Sequence, residues 1–167
     1  KPLFSLHFSQ DDFFHLRISQ TDGRLASFLN LFSFRSFEAR GGIYFYRPIF
    51  RESLFNIYYS LWGLEALPFR IIQILIHFIN IFLTFIFIKK LTKNRVVASV
   101  ASAFFALSSA NLGVLYYLAG GIQASGASLF ILLGLIFFLE YLEKGKTRVY
   151  LLTFVFFGLS LASHEIA

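Results

Sequence analysis

From residue 96 to residue 139 the chain carries no Asp, Glu, Lys or Arg, an uncharged run of about 44 residues. About 20 apolar residues are enough for a helix to cross the hydrocarbon core of a bilayer. This run is therefore long enough for two crossings with a tight turn between them. The turn is expected within residues 110–121 (ANLGVLYYLAGG), where Asn and Gly interrupt the apolar texture. Further uncharged runs cover 71–88 and 149–164. The pattern predicts an all-α fold: a polytopic transmembrane helical bundle of about four spans over 68–167. Residues 1–67 are predicted to form an external loop carrying an interfacial amphipathic helix.

Composition narrows the function classes. Hydrophobic residues make up 57% and aromatics 20%, with 24 Phe, above the roughly 45–50% apolar content of soluble domains. There is no cysteine, which excludes a disulfide framework and thiolate metal sites. No cofactor is evident. A divalent cation is not demanded, because no His/Asp/Glu cluster has ligand spacing. The net charge of +6 comes from basic residues at span ends, which points to a membrane and not to nucleic acid as the partner. The sequence has no initiating Met and stops in an apolar stretch just after Glu165, so it reads as an internal fragment with further spans upstream and downstream.

Orientation follows from the loops. Lys89, Lys90, Lys93 and Arg95 lie between the first and second spans, and Lys144, Lys146 and Arg148 between the third and fourth. Short loops rich in Lys and Arg stay in the cytoplasm. The segment up to residue 67, the turn at 110–121 and the end at His164–Glu165 are then expected outside.

A few polar residues stand out on this background. Gln73, His77, Asn80 and Thr84 follow at i, i+4, i+7 and i+11, one stripe on an otherwise apolar helix. Two readings stand: interhelical hydrogen bonding, or the lining of a cavity. Ala98, Ser102 and Ala106 recur every fourth residue, the spacing of close helix packing. Residues 51–67 set Glu52, Asn56 and Ser60 on one face and Leu54, Phe55, Tyr58, Tyr59 and Trp62 on the other, as in a helix lying along the membrane interface. Gly41-Gly42, Pro48 and Asp22-Gly23 mark turns. Asp11-Asp12, flanked by Phe8, Phe13 and Phe14, suits a general base, a cation site or simple solvation. Apolar neighbours favour the first, since they strengthen a carboxylate's hold on a proton.

The ordered set of Asp11-Asp12, FYRPIF (45–50), an aromatic interfacial helix, LPFRIIQILIHFINIFL (67–83), SAFFALSSANLGVLYYLAGG (102–121) and LSLASHEIA (159–167) resembles the N-terminal part of GT-C membrane glycosyltransferases. The resemblance is to the protein O-mannosyltransferase-like group, which includes bacterial lipid-sugar transferases, and it covers nearly the whole chain. It implies transfer of a sugar from a polyprenyl-phosphate donor to a hydroxyl of a lipid, glycan or protein acceptor. The expected site is a multi-pass protein of the bacterial inner membrane, with its active site outside the cytoplasm. By this resemblance Asp11 is the catalytic carboxylate with Asp12 as its neighbour, and Arg47 contacts the donor phosphate or anchors at the headgroups. His77 matches a histidine of the group and is read as packing or hydrogen bonding, and Glu165 keeps its place at the external membrane edge. His77, Asn80 and Glu165 are the candidates for lining a cavity. The chain departs from the group in having Ser108-Ser109-Ala110-Asn111 in place of a His-Pro pair. It also has Gly120-Gly121-Ile122-Gln123 in place of an Arg and an Asp, and Ser163-His164-Glu165 in place of Ser-Lys-Glu. The rival classes are a polytopic transporter and a lipid-linked glycan polymerase or flippase component.

Overall fold

The structure, a computed structural model, describes residues 6–34 and 45–165. The turn expected at Gly41-Gly42 lies outside the described residues. Among the described residues every regular element is helical. Helix α1 (Gln10–Ile18), α2 (Leu25–Leu29) with a 3₁₀ turn (Asn30–Phe32), a π-helical turn (Pro48–Ser53) and α3 (Leu54–Trp62) come first. Then follow α4 (Ala66–Thr92), α5 (Arg95–Leu107), α6 (Ser109–Tyr116), α7 (Leu118–Lys144) and α8 (Thr147–Leu161).

Two of these helices, α4 and α7, each 27 residues, are long and apolar enough to cross a membrane. Helices α5 and α6 qualify only as a pair, bent by 43° at Ser108. Helix α8 has 15 residues, about 22 Å of helix at 1.5 Å per residue, short of a hydrocarbon core about 30 Å thick. The four similar spans expected from the apolar runs are thus two long helices, a broken pair and a short helix. The predicted turn falls at Tyr117, within 110–121, but a second break precedes it and Asn and Gly do not form it. The chain breaks at Ser108 and Tyr117, while Asn111 lies within α6 and Gly120-Gly121 in the first turn of α7. Asn111 Nδ2 donates to the Phe105 carbonyl at 2.6 Å, so it satisfies an acceptor left open at the end of α5.

The ends of the long helices follow from local chemistry. Lys93 adopts a left-handed conformation (φ 56°) after α4, and Asn94 then caps α5, its Oδ1 accepting from Val96 N at 2.9 Å and Val97 N at 3.2 Å. Gly145 closes α7 at φ 65°, a conformation that favours glycine. Between α4 and α5, Ala98 and Ser102 are buried, as their four-residue spacing required. Between α7 and α8, Ser160 Oγ donates to the Ala127 carbonyl at 2.9 Å and Phe137 stacks on Phe156 at 5.3 Å.

The interfacial helix expected over 51–67 is two elements, a π-helical turn and α3, ended by Gly63 at φ 58°. Of the expected apolar face, Phe55 is fully buried and Tyr58 and Tyr59 pack against the core, but the polar face is only partly solvated. Glu52 and Asn56 are buried, with Asn56 Nδ2 donating to Ser19 O at 2.7 Å, while Ile57, Leu61 and Trp62 are exposed. The core joins Leu16, Phe50 and Phe55 to Phe69, Ile76, Leu118 and Ile122. Residues of the N-terminal segment and of the long helices therefore share one core.

Charged side chains gather at the two ends of the long helices. At one end Glu143 of α7 pairs with Lys90 at 3.4 Å and Lys93 at 2.6 Å, which brings the two basic loops together. The other end holds α1, the Pro48–Ser53 turn, the start of α7 and Glu165.

Candidate functional site

The adjacent aspartates at that second end have separate environments. Ser9 precedes α1, and Asp12 is its third helical residue. Asp12 reaches back as in a capping box, Oδ2 accepting from Ser9 N at 2.7 Å and Ser9 Oγ at 2.9 Å. It is fully buried, and its Oδ1 has no hydrogen-bond partner among the described residues. Its charge acts on the buried guanidinium of Arg70. Asp11, one residue earlier, is exposed and accepts a hydrogen bond from Tyr117 Oη at 2.6 Å.

Tyr117 reaches Asp11 because of what surrounds the break between α6 and α7. A side chain at Gly120 would strike the Tyr117 ring, and one at Gly121 would strike the Val114 carbonyl. From α4, Arg70 donates to the carbonyls of Leu115 (3.2 Å) and Tyr116 (3.0 Å), and Gln73 Nε2 to those of Val114 (2.7 Å) and Tyr117 (3.3 Å). The carbonyls of Val114, Leu115 and Tyr116 at the end of α6 are thus satisfied from α4, as is that of Tyr117, which also accepts from Gly121 N at 2.9 Å. The hydrogen bond to Asp11 and burial push the Tyr117 phenol up to about 12, so it remains a donor.

A second chain of contacts runs beside it. Arg47 grips Glu165 with two nitrogens, Nε to Oε2 at 2.5 Å and Nη2 to Oε1, a bidentate pairing. Arg47 Nη1 donates to Gln123 Oε1 at 2.9 Å, and the guanidinium lies 4.8 Å from the Phe45 ring centroid. With its oxygen taken by Arg47, Gln123 turns its amide toward Ala119 O (2.5 Å) and His15 Nδ1 (3.2 Å). Gln123 then donates to His15, which places the imidazole proton on Nε2. Burial first, then Arg51 and Arg47, lower the His15 pKa to about 4 against the opposing pull of Asp11. The imidazole is therefore neutral near pH 7. Arg47 likewise holds the Glu165 carboxyl below its usual range, and burial followed by Arg47 lowers His164.

Of the residues singled out in the sequence, Arg47 and Glu165 are in direct contact and Asp11 lies in the same cluster. Asp11 and Arg47 both act on His15 and on Tyr117. Asp12 sits beneath as a cap. His77 and Asn80 stand apart from this cluster. His77 is buried and stacked on Phe105 at 5.9 Å, and Asn80 Nδ2 donates to the Ser125 carbonyl at 2.8 Å. Both face neighbouring helices.

His15, Tyr117 and Gln123 were missed in the sequence. His15 carried a signal, since it follows Asp11 by four residues and so shares its helix face. The Gly pair after Tyr117 was a weaker one. Chemically, the cluster offers an exposed carboxylate held by a phenol, a guanidinium fixed by Glu165 and Gln123, and a neutral imidazole. Comparison with protein-family models, curated proteins and solved structures finds no match.

Proposed function

We propose that this chain is part of a multi-pass membrane glycosyltransferase that moves a sugar from a polyprenyl-phosphate donor to an acceptor hydroxyl. The observation that carries this reading is the presence in one cluster of an exposed carboxylate, Asp11, and a fixed guanidinium, Arg47, at the end of the apolar helices away from the basic loops. A lipid-borne donor requires such a site to border the bilayer. By the positive-inside rule this end is the external one, in a plasma membrane such as the bacterial inner membrane. The order of motifs along the chain, similar to the GT-C group, supports the same chemistry.

In this mechanism the acceptor oxygen attacks the anomeric carbon while Asp11 takes the hydroxyl proton. The bond between that carbon and the phosphate oxygen breaks, and polyprenyl phosphate leaves with the electron pair. Arg47, whose fork stays on Glu165, stabilises the developing phosphate charge through its positive charge. Tyr117 holds the Asp11 carboxylate in place, and Asp12 supports the helix that carries it.

The test is transfer of label from a polyprenyl-phosphate sugar by the protein in membranes. Asp11→Asn is expected to lower turnover by ~10²–10⁴-fold with thermal stability unchanged. Asp12→Ala is expected to lower stability by about 0.5–2 kcal/mol through loss of its bonds to Ser9. Full transfer by a folded Asp11→Asn variant would remove the base assignment and move the transporter reading ahead.

A further inference from the structure

The opposite end of the molecule carries a groove of about 530 Å³ between the last turns of α4 and the end of α7. Its walls divide by chemistry along α4. Phe82, Phe85 and Ile86 form an apolar stretch, followed by Lys89, Lys90 and Lys93, with Glu143 facing them from α7. From residue 82 to residue 93 the helix advances about 16 Å. Phe82 is 62% exposed, so the apolar stretch opens outward.

The charges do not cancel. Glu143 is shared by Lys90 at 3.4 Å and Lys93 at 2.6 Å. Glu140 is taken by Lys144 at 2.5 Å. Lys89 has no carboxylate partner among the described residues; its ammonium lies 6.0 Å from the Phe85 ring centroid. Three lysines therefore face one glutamate in a groove whose other half is apolar.

We infer that this groove binds one anionic glycerophospholipid, with its phosphate at Lys89 and Lys90 and an acyl chain along Phe82, Phe85 and Ile86. A hydrated phosphate ion gains nothing from phenyl walls, and an acyl chain alone gains nothing from ammonium groups. An amphiphile with a negative head satisfies both halves. Its source is the leaflet at the basic end, where anionic lipids attract juxtamembrane lysines. The inference rests on the membrane placement and not on the transfer chemistry at the other end.

Native mass spectrometry of the full chain released from detergent tests it. The chain is equilibrated with phosphatidylglycerol, with phosphatidylcholine of the same acyl composition, or with inorganic phosphate. Phosphatidylglycerol is expected to be retained preferentially. Retention should fall about fivefold for each lysine removed in Lys89→Gln and in the double variant with Lys90→Gln. Phe82→Ala should weaken retention of both lipids. Equal retention of the two lipids, or undiminished phosphatidylglycerol retention by the double variant, would overturn the inference. Binding of inorganic phosphate as tightly as phosphatidylglycerol would overturn it in favour of a plain anion site. Should the variants not fold, the comparison of the three ligands on the unaltered chain still decides.

Discussion

A helix turns about 100° per residue, and that rotation is enough to give Asp11 and Asp12 different work. One carboxylate is directed into the protein, where it caps its own helix; the other meets a phenol at the surface. One turn after Asp11 on the same helix, half-buried His15 lies against Gln123 and the ring of Phe55. Its folded pKa, about 4, lies below the ordinary value of 6.5. Above pH 6.5 the folded and unfolded chains both hold a neutral imidazole, and the stabilisation is fully present. As pH falls from 6.5 towards 4, the unfolded chain takes up a proton that the folded chain refuses, so stability is lost across that window. The unfolding temperature in detergent is therefore expected to fall between pH 7 and pH 5. His15→Asn should flatten that fall. An equally steep loss in the variant would show that other groups set the acid sensitivity.

At the scale of elements, the break between α6 and α7 determines where the cluster forms. Neither glycine there serves as the turn. Gly121 lets α7 pass against the Val114 carbonyl, and Gly120 gives the Tyr117 ring its place. Gly113, inside α6, has open space around the position of a Cβ. Gly121→Ala should therefore destabilise by about 1–3 kcal/mol through overpacking. Gly113→Ala should leave stability unchanged or raise it by up to about 1 kcal/mol, because alanine favours the helix. Thermal unfolding of both variants distinguishes this from a break set by glycine flexibility, in which both substitutions would be harmful. The stripe of Gln73, Asn80 and Thr84 on α4 is used for hydrogen bonds to other helices and within its own. Helix α3 shows the same economy of polar groups. Its Asn56 amide turns into the protein beside Phe55, while Ile57, Leu61 and Trp62 turn out.

Across the whole molecule the two polar ends differ in kind: one is a loop cluster of lysines, the other a mixed network around Arg47. If α4, α7 and the α5–α6 pair cross a bilayer, these ends lie on opposite sides. A single cysteine at Gln20, which is exposed beside α1, should react with an impermeant thiol reagent in intact cells. Cysteines at Thr92 or Lys146, both exposed in the basic loops, should react only after permeabilisation. These 167 residues contain no cysteine to interfere. Labelling of Thr92 and Lys146 alone would reverse the orientation, and with it the side of the proposed transfer reaction.

The helical class, the positions of α4 and α7 and the grouping of basic residues were legible in the sequence, because apolar run length and helix period are local properties. So was the close packing of Ala98 and Ser102. What was not legible is which polar residues meet. Arg47 and Glu165 are 118 positions apart, Asp11 and Tyr117 are 106, and His15 and Gln123 are 108. A local pattern shows that a buried polar group needs a partner; it does not say which one. That choice was made by packing, which set α1 against the start of α7 and left Asp11, alone of the two aspartates, facing outward.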